Sequence, residues 1–525
     1  MTTVHKENPL ISRKSKSLHH LCKQVLNQAS KSFVLKGIGI MLGYIVMLVI
    51  TRNAGVAVYG EYRIGITVLN LVLSVTVFGM GAALIRFVPG LRVTNNTKSL
   101  NSIISLAFVL CTVLCCGGAF FLFLSRGFLA DKFFDNIQGS SIFIIIAVLL
   151  LPFGLIRVLN GVFKAYKKPS VTVFYSQVAM RLILLACLAT LILYRLVSAE
   201  FMLISYGIAH VVVLFFMFKS AGFVDLSNIF RSYRDIDADL RRSFMKYAMV
   251  MFTVASFGVV LRRVDILMIA YYSTTEDVGL YGVVSRLCEL SSMGVMSFHA
   301  IAMSIFAELY AQKKHKQMVE LAEILIRWQV VFAVPVAVGF GLYSRAVLDI
   351  VGVESLAGEW SLKLMAGAAI LIPLQSVSSA MLVVCGRARI IFFNSMCAVL
   401  MNVTLNFFMI PIYGIKGAVV ATVATQVLMM IIRLLEVAYS LHIHFVSIKY
   451  VLFVITNLIL CFCIGLACFA ISDGLISLVL VVIVAAFLTM AMLMFGKGRM
   501  LFSILKQPGD SSEGCKVLPS DEDVL

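Results

Sequence analysis

Long apolar runs separated by short polar stretches make up most of this chain. About fourteen of these runs reach roughly 20 residues, the length that crosses the hydrocarbon core of a bilayer as an α-helix. The pattern therefore predicts an all-α, polytopic membrane protein. The predicted spans fall at about 33–51, 63–85, 100–124, 141–163, 171–194, 199–218, 244–271, 279–309, 323–343, 362–384, 389–410, 415–440, 449–472 and 475–495.

The predicted hairpin over 244–310 is unusual because charged residues interrupt its apolar runs. Each charge at the centre of a spanning helix costs about 2.5–3.5 kcal/mol on insertion scales, so lipid is an unfavourable neighbour for these side chains. We expect them to face a wet cavity or one another, which points to a transport protein with a charged path between helices. They are Arg262, Arg263 and Asp265 before the polar turn, and Arg286 and Glu289 after it.

The composition supports a membrane protein, and the distribution of basic residues explains the net positive charge. Hydrophobic residues make up 61% of the chain and charged residues 13%, whereas soluble domains have roughly 25% charged residues. The net charge of +18 could suggest a nucleic-acid partner. With the N-terminus taken as cytoplasmic, however, most Lys and Arg residues fall in cytoplasmic connections, as the positive-inside rule requires. The basic excess therefore indicates topology, with both termini cytoplasmic, and no nucleic-acid partner is expected.

The chain also carries an internal repeat. Gly60 and Tyr62 open the second predicted helix with the same spacing as Gly279 and Tyr281 near the start of the eighth, and Pro152 and Pro373 are separated by nearly the same offset. Two halves in the same orientation place a substrate path at their interface. The predicted organisation is a cytoplasmic basic amphipathic segment (1–32), an N-terminal lobe of helices 1–6 (33–218), a cytoplasmic linker helix (219–243), a C-terminal lobe of helices 7–12 (244–440), helices 13 and 14 (441–495) and a cytoplasmic tail (496–525).

Several short motifs together resemble one family. They are Lys36-Gly37, Thr51-Arg52-Asn53, Tyr59-Gly60-Glu61-Tyr62, Phe78-Gly79-Met80-Gly81, Arg86-Phe87-Val88-Pro89, Asp265, Val278-Gly279-Leu280-Tyr281 and the stretch 402–417. Over about residues 30–440 the chain resembles the multidrug/oligosaccharidyl-lipid/polysaccharide (MOP) exporter superfamily, and within it the polysaccharide (O-antigen type) flippases. The resemblance implies two six-helix lobes that work by alternating access. It also implies a bacterial cytoplasmic (inner) membrane, a polyprenyl-pyrophosphate-linked oligosaccharide as substrate and a polysaccharide polymerase as a possible partner.

Such a substrate has an anionic head, a polar glycan and a long apolar tail. Arginine suits the phosphates because its planar fork donates two hydrogen bonds and stays charged. Coupling to protons or sodium would need an ionisable residue, for which Asp265, Glu289 and Glu436 are candidates. No cofactor or metal is expected. The predicted substrate-binding residues are Arg263, Arg262, Arg286, Arg181, Arg157, Asn70, Gln177 and Asn402.

The charged residues also permit a purely structural interpretation. Arg262 and Asp265, Arg286 and Glu289, and Arg433 and Glu436 are each three positions apart, so each pair could form an ion pair on one helix face. Arg263 has no partner at this spacing, which makes it the best single candidate for an anion contact. Lys36, Arg52 and Arg63 lie nearer helix ends and are expected to reach the membrane interface by snorkelling.

Three other functions compete with a flippase. A cation-coupled multidrug antiporter of the same superfamily would need an acidic cavity, whereas the deep charges here favour arginine. A membrane glycosyltransferase or polymerase would need a sizeable outside loop, and the predicted outside loops are short. A non-transporting scaffold would have no need for buried charges, which are costly to insert. The chain lacks a phosphate-binding Gly-x-x-x-x-Gly-Lys-Ser/Thr loop, so ATP is not the expected energy source.

Overall fold

The structure is a computed structural model that describes residues 9–134, 139–222, 232–292, 303, 305–441, 448–470, 479–485 and 487. Every regular element within these ranges is helical. Eleven helical stretches among the described residues are long and apolar enough to cross a membrane. The all-α polytopic prediction is therefore confirmed, while the count of fourteen spans stays a prediction. Parts of the linker helix predicted over 219–243, of the span predicted over 279–309 and of the last span, with all of the tail, lie outside the described residues.

The main helices are numbered here in chain order. They are α1 (Pro9–Thr76), α2 (Met80–Val93), α3 (Thr97–Phe133), α4 (Ser140–Ala165), α5 (Pro169–Val173), α6 (Met180–Leu193), α7 (Ala199–Ser220), α8 (Ala238–Tyr272), α9 (Thr275–Cys288), α10 (His315–Leu342), α11 (Ser344–Val351), α12 (Leu356–Ala369), α13 (Ile372–Val384), α14 (Ala388–Tyr413), α15 (Ile415–Leu441) and α16 (Ile448–Phe469). A π-helical segment, Phe174–Ala179, joins α5 to α6.

The first two predicted spans form one helix with an interruption. Gly55 has non-helical angles (φ 88°, ψ 168°) and divides α1 in two. The second part ends at Thr76, so the span predicted over 63–85 was wrong at its C-terminal boundary. Gly79 has a φ of +68°, and a Cβ there would lie 2.3 Å from the carbonyl oxygen of Ala248. A glycine is required at this position because other residues rarely adopt this conformation and no side chain has room.

The predicted hairpin with its polar turn is confirmed for α8 and α9. Helix α8 ends at Tyr272, and Thr274 caps α9 by accepting a hydrogen bond from the Asp277 backbone N–H through its side chain (3.2 Å). Helix α9 is shorter than predicted, because it passes at Glu289 into a 3₁₀ turn that extends to Ser292.

The chain divides into two compact units. The first contains residues 1–290, 343–368 and 387–431, and the second contains residues 291–342, 369–386 and 432–525. In the first unit, α1 packs on α8 and α9, α4 packs on α2, α3 and α7, and α8 packs on α14. In the second unit, α10 packs on α13 and α16. The arginines that the sequence singled out, apart from Arg433, all belong to the first unit, and the site is described within that unit alone.

Candidate functional site: a cluster of arginines

Four arginines from four helices gather around the side chain of Tyr206 on α7. Arg63 of α1, Arg157 of α4, Arg181 of α6 and Arg263 of α8 all interact electrostatically with the Tyr206 hydroxyl. Arg262 interacts in turn with both Arg157 and Arg263. The predicted residues Arg157, Arg181, Arg262 and Arg263 are therefore brought together by helices far apart in sequence.

Arg286 joins this cluster through a close approach to α1. A Cβ placed on Gly43 would lie 2.3 Å from Nη2 of Arg286 and 3.2 Å from Nε of Arg181, so both guanidinium groups meet at this glycine. Tyr44, the next residue, donates a hydrogen bond from its hydroxyl to the backbone carbonyl oxygen of Arg286 (2.7 Å). The Arg286 guanidinium also lies 5.4 Å from the centre of the Tyr44 ring. Gly43 and Tyr44 thus determine the position of the Arg286 side chain.

Polar side chains hold two of the arginines in place. Arg157 donates to the side-chain oxygen of Asn70 (2.9 Å). Arg181 donates to both the backbone oxygen (2.9 Å) and the side-chain oxygen (2.5 Å) of Gln177, which lies in the π-helical segment. Asn70 and Gln177, predicted to bind substrate, therefore lie beside the guanidinium groups and orient them.

Within the described part of the chain, Glu289 is the acid that contacts the cluster directly. Its carboxylate accepts from Nη1 of Arg286 at 2.7 Å, so the ion pair predicted from their spacing is confirmed. Glu289 also interacts electrostatically with Arg181 and Arg263. One carboxylate offsets only part of the charge of six guanidinium groups. The cluster is thus a site of positive potential, and its planar donors suit phosphate oxygens.

Arg63 is a cluster member that the sequence analysis assigned to the membrane interface. Its Nε is buried without a hydrogen-bond partner, and a Cβ on Gly282 would lie 3.3 Å from it. Arg63 interacts electrostatically with Arg263 and Tyr206. Arg63 therefore also belongs to the cluster, while its snorkelling to the membrane interface stays a prediction. Its position near a predicted helix start suggested the interface, but the second part of α1 begins just after Gly55 and places Arg63 further inside the helix.

Asp265 belongs to a separate, buried polar network. Its carboxylate accepts hydrogen bonds from the Tyr281 hydroxyl (2.8 Å), the Asn406 side-chain amide (2.7 Å) and the Thr422 hydroxyl (3.4 Å). Only 8% of Asp265 is exposed. The predicted ion pair with Arg262 is not formed, because these donors from α9, α14 and α15 surround the carboxylate instead.

Asn402 and Glu436 do not lie where the arginines meet. Asn402, predicted to contact substrate, is buried and accepts a hydrogen bond from Asn406 (3.1 Å), which places it in the Asp265 network. Glu436 interacts with Arg433, and both belong to the second compact unit. No group of three or more His, Cys, Asp or Glu side chains that could hold a metal ion occurs among the described residues.

Comparisons with known proteins give the family and the fold. The family model described as "Polysaccharide biosynthesis protein" matches residues 25–309. An uncharacterized membrane protein of Methanocaldococcus jannaschii is 19% identical over 396 residues, which cover 73% of this chain and 77% of the relative.

Solved structures share the fold at low sequence identity. Lipid II flippase MurJ in an inward closed conformation matches with a TM-score of 0.70 and 13% identity, over 90% of this chain and 100% of that chain. An inward-facing MATE family multidrug resistance transporter of the MOP superfamily matches with a TM-score of 0.62 and 12% identity, over 78% of this chain and 96% of that chain. A MOP superfamily transporter from Pyrococcus furiosus, in which the reverse polarity of the binding pocket suggests a different function, matches with a TM-score of 0.54 and 14% identity, over 78% and 94%.

These neighbours are transporters and a flippase, not enzymes, and they share the fold that the resemblance implies. The matched family model covers more than half of the chain. The chain therefore belongs to the polysaccharide biosynthesis protein family and has the fold of the MOP superfamily of flippases and transporters.

Proposed function

We propose that this protein is a flippase that moves a polyprenyl-pyrophosphate-linked oligosaccharide across a bacterial cytoplasmic membrane by alternating access. The single observation that supports this substrate most strongly is the arginine cluster around Tyr206 and Gly43. Six guanidinium groups in one membrane protein repel one another, so an anionic ligand lowers the electrostatic free energy of the cluster. A pyrophosphate supplies several phosphate oxygens, which match the paired donors of arginine.

In this proposal the two ends of the substrate are treated differently. The pyrophosphate binds Arg181, Arg263 and Arg286, while the apolar tail remains in the lipid beside the protein. Asn70 and Gln177 hold Arg157 and Arg181 in orientation, so that the guanidinium groups need no rearrangement when the head arrives. The protein moves the substrate without making or breaking a covalent bond, and a polysaccharide polymerase would act on the product on the other side.

The Asp265 network is the proposed site of ion coupling. Its carboxylate has neutral hydroxyl and amide partners, so binding a proton or a sodium ion would change its net charge from −1 to 0. Oxygen atoms are the ligands that hard cations prefer. Three helices besides α8 contribute to this network, so a change of charge there can alter how the helices pack. Glu289 and Glu436 are the other two candidates for coupling.

The test is translocation of the lipid-linked sugar. Cells that lack the protein would be complemented with the wild type, with Arg263→Ala, or with the control Arg126→Ala, at matched expression. Arg126 is an arginine of α3 that contacts the Phe123 ring, outside the cluster. We expect lipid-linked intermediates to accumulate on the inner leaflet with Arg263→Ala and to be cleared by the control. If Arg263→Ala clears them as well as the wild type, the anion role of the cluster is refuted.

A cation-coupled multidrug antiporter is the alternative that the same experiment separates. If loss of the protein leaves the lipid-linked intermediates unchanged but alters resistance to cationic compounds, that function replaces the flippase. The charge of the cluster argues against it, since a cationic drug would be repelled by six arginines and attracted by one carboxylate.

A further inference from the structure

A cavity separate from the arginine cluster lies among α1, α4, α5, the π-helical segment and α7 of the first compact unit. Its volume is about 720 Å³, within the range of about 300–1,000 Å³ that is usual for ligand sites. Most of its wall is apolar. The apolar residues are Val34, Leu35, Phe163, Val171 and Phe174.

The polar part of this cavity is basic and hydroxylic. Lys31 and Lys168 both line it, and both side chains are exposed. Ser170, Tyr175 and Ser220 complete the lining, and the hydroxyls of Tyr175 and Ser220 lie 2.7 Å apart in a hydrogen bond. Among the described residues, no carboxylate is part of the lining. The cavity therefore combines two ammonium groups with an apolar slot.

The position of the cavity along the helices corresponds to a membrane–water boundary. Lys31 directly precedes the apolar run predicted to begin at residue 33. Lys168 lies between the spans that end at Ala165 and begin at Pro169, and Ser220 ends another span. Beside the lysines, Val34 is 58% exposed and Phe174 is 43% exposed, as expected for side chains that face lipid tails. Basic residues next to an apolar surface at such a boundary attract anionic lipids.

We propose that this cavity binds an anionic phospholipid, with its phosphate between Lys31 and Lys168 and its proximal acyl chain along Val34, Val171 and Phe174. The lysine side chains supply donors and positive charge for the headgroup, while the apolar wall accepts the chain. A free phosphate would use only the lysines, and a zwitterionic lipid would gain little from them. The site is independent of the arginine cluster, so it does not rest on the identity of the transported substrate.

The π-helical segment connects this cavity with the cluster. Phe174 and Tyr175 line the cavity, and Gln177 of the same segment binds Arg181. π-Helical turns are rare and are found frequently at functional sites. A bound lipid would therefore fix the segment that orients Arg181, which gives the lipid a route to influence transport.

Native mass spectrometry of the full-length protein in detergent, titrated with phosphatidylglycerol or phosphatidylcholine, tests this site. The variants are Lys31→Gln/Lys168→Gln, which removes the charge, and Val34→Trp, which fills the slot and keeps both lysines. Lys98→Gln/Lys316→Gln is the control, because it lowers the net charge equally at exposed positions outside the cavity. Glycerol 3-phosphate serves as a soluble phosphate competitor, and a polyprenyl phosphate as a lipid competitor.

We expect one phosphatidylglycerol to bind in preference to phosphatidylcholine. The affinity should fall about tenfold or more in the double lysine variant, as expected for two basic residues near an anionic headgroup. It should also fall in Val34→Trp and stay unchanged in the control. Equal loss in the control would overturn the site, as would equal binding of both phospholipids or displacement by glycerol 3-phosphate. Displacement by stoichiometric polyprenyl phosphate would assign the cavity to the transported lipid instead.

Discussion

Gly60 on α1 and Gly279 on α9 occupy reciprocal positions where the two helices touch. A Cβ on Gly60 would lie 1.8 Å from the carbonyl oxygen of Thr275, and a Cβ on Gly279 would lie 2.0 Å from the carbonyl oxygen of Val56. These are the two glycines that the sequence repeat matched. Small residues at such a contact allow two membrane helices to approach backbone to backbone.

Alanine at either glycine should therefore destabilise the protein. A Cβ cannot be accommodated against backbone atoms without separating α1 from α9, and overpacking of this kind costs about 1–3 kcal/mol. Gly60→Ala and Gly279→Ala should both lower the thermal unfolding temperature in detergent, measured by fluorescence-detected size exclusion. Gly117→Ala on α3 is the control, because no heavy atom lies within 4 Å of its added Cβ. Unchanged stability in both glycine variants would show that the contact is looser than described.

The sequence predicts the helical elements well because bilayer thickness imposes a length on every apolar run. It does not predict which helix faces meet. Asp265 accepts hydrogen bonds from Asn406 and Thr422, which are 141 and 157 residues away in the sequence. The sequence spacing instead suggested an ion pair with Arg262, three residues away. Sequence spacing can suggest only partners on the same helix, whereas partners on other helices become visible only once the helices are packed. The same limit applies to Arg63, whose electrostatic interactions are with Arg263 and Tyr206 on other helices.

Gly43 gives a way to disturb the arginine cluster without removing a charge. Valine at this position would force Arg286 and Arg181 away from α1, since even a Cβ would lie 2.3 Å from Nη2 of Arg286. We expect the affinity for a polyprenyl pyrophosphate to fall about tenfold, which corresponds to the loss of one hydrogen bond to a charged group. Gly37→Val on the same helix has open space around its Cβ and should bind as the wild type does. Equal binding by Gly43→Val would mean that these two guanidinium groups do not contact the ligand.

The hydroxyl of Tyr44 is expected to contribute to the stability of the protein. Tyr44→Phe removes its 2.7 Å hydrogen bond to the Arg286 carbonyl oxygen and leaves the ring under the guanidinium. The free energy of unfolding should fall by about 0.5–1.5 kcal/mol. Denaturant titration in detergent measures this change, with Tyr413→Phe as a control because that side chain is 60% exposed. If Tyr44→Phe lowers the free energy of unfolding no more than the control does, the Tyr44 hydroxyl does not stabilise the position of Arg286.

Asp265→Asn should separate ion coupling from folding. The substitution is nearly isosteric, and the hydroxyls of Tyr281 and Thr422 can accept as well as donate, so most hydrogen bonds can be re-formed. The negative charge is lost, so the electrostatic attraction that would bind a cation at this position is removed. In vesicles we expect the stimulation of transport by an imposed sodium or proton gradient to fall about tenfold, while transport without a gradient persists.

The other two candidate acids provide the comparison for Asp265. Glu289 forms an ion pair with Arg286 and is 59% exposed, so Glu289→Gln should change binding of the anionic head more than gradient dependence. Glu436→Gln should leave both properties nearly unchanged, because Glu436 interacts with Arg433 in the second unit. If Glu289→Gln rather than Asp265→Asn abolishes the response to the gradient, coupling takes place within the arginine cluster itself. The buried network of Asp265 would then serve only to join α8, α9, α14 and α15.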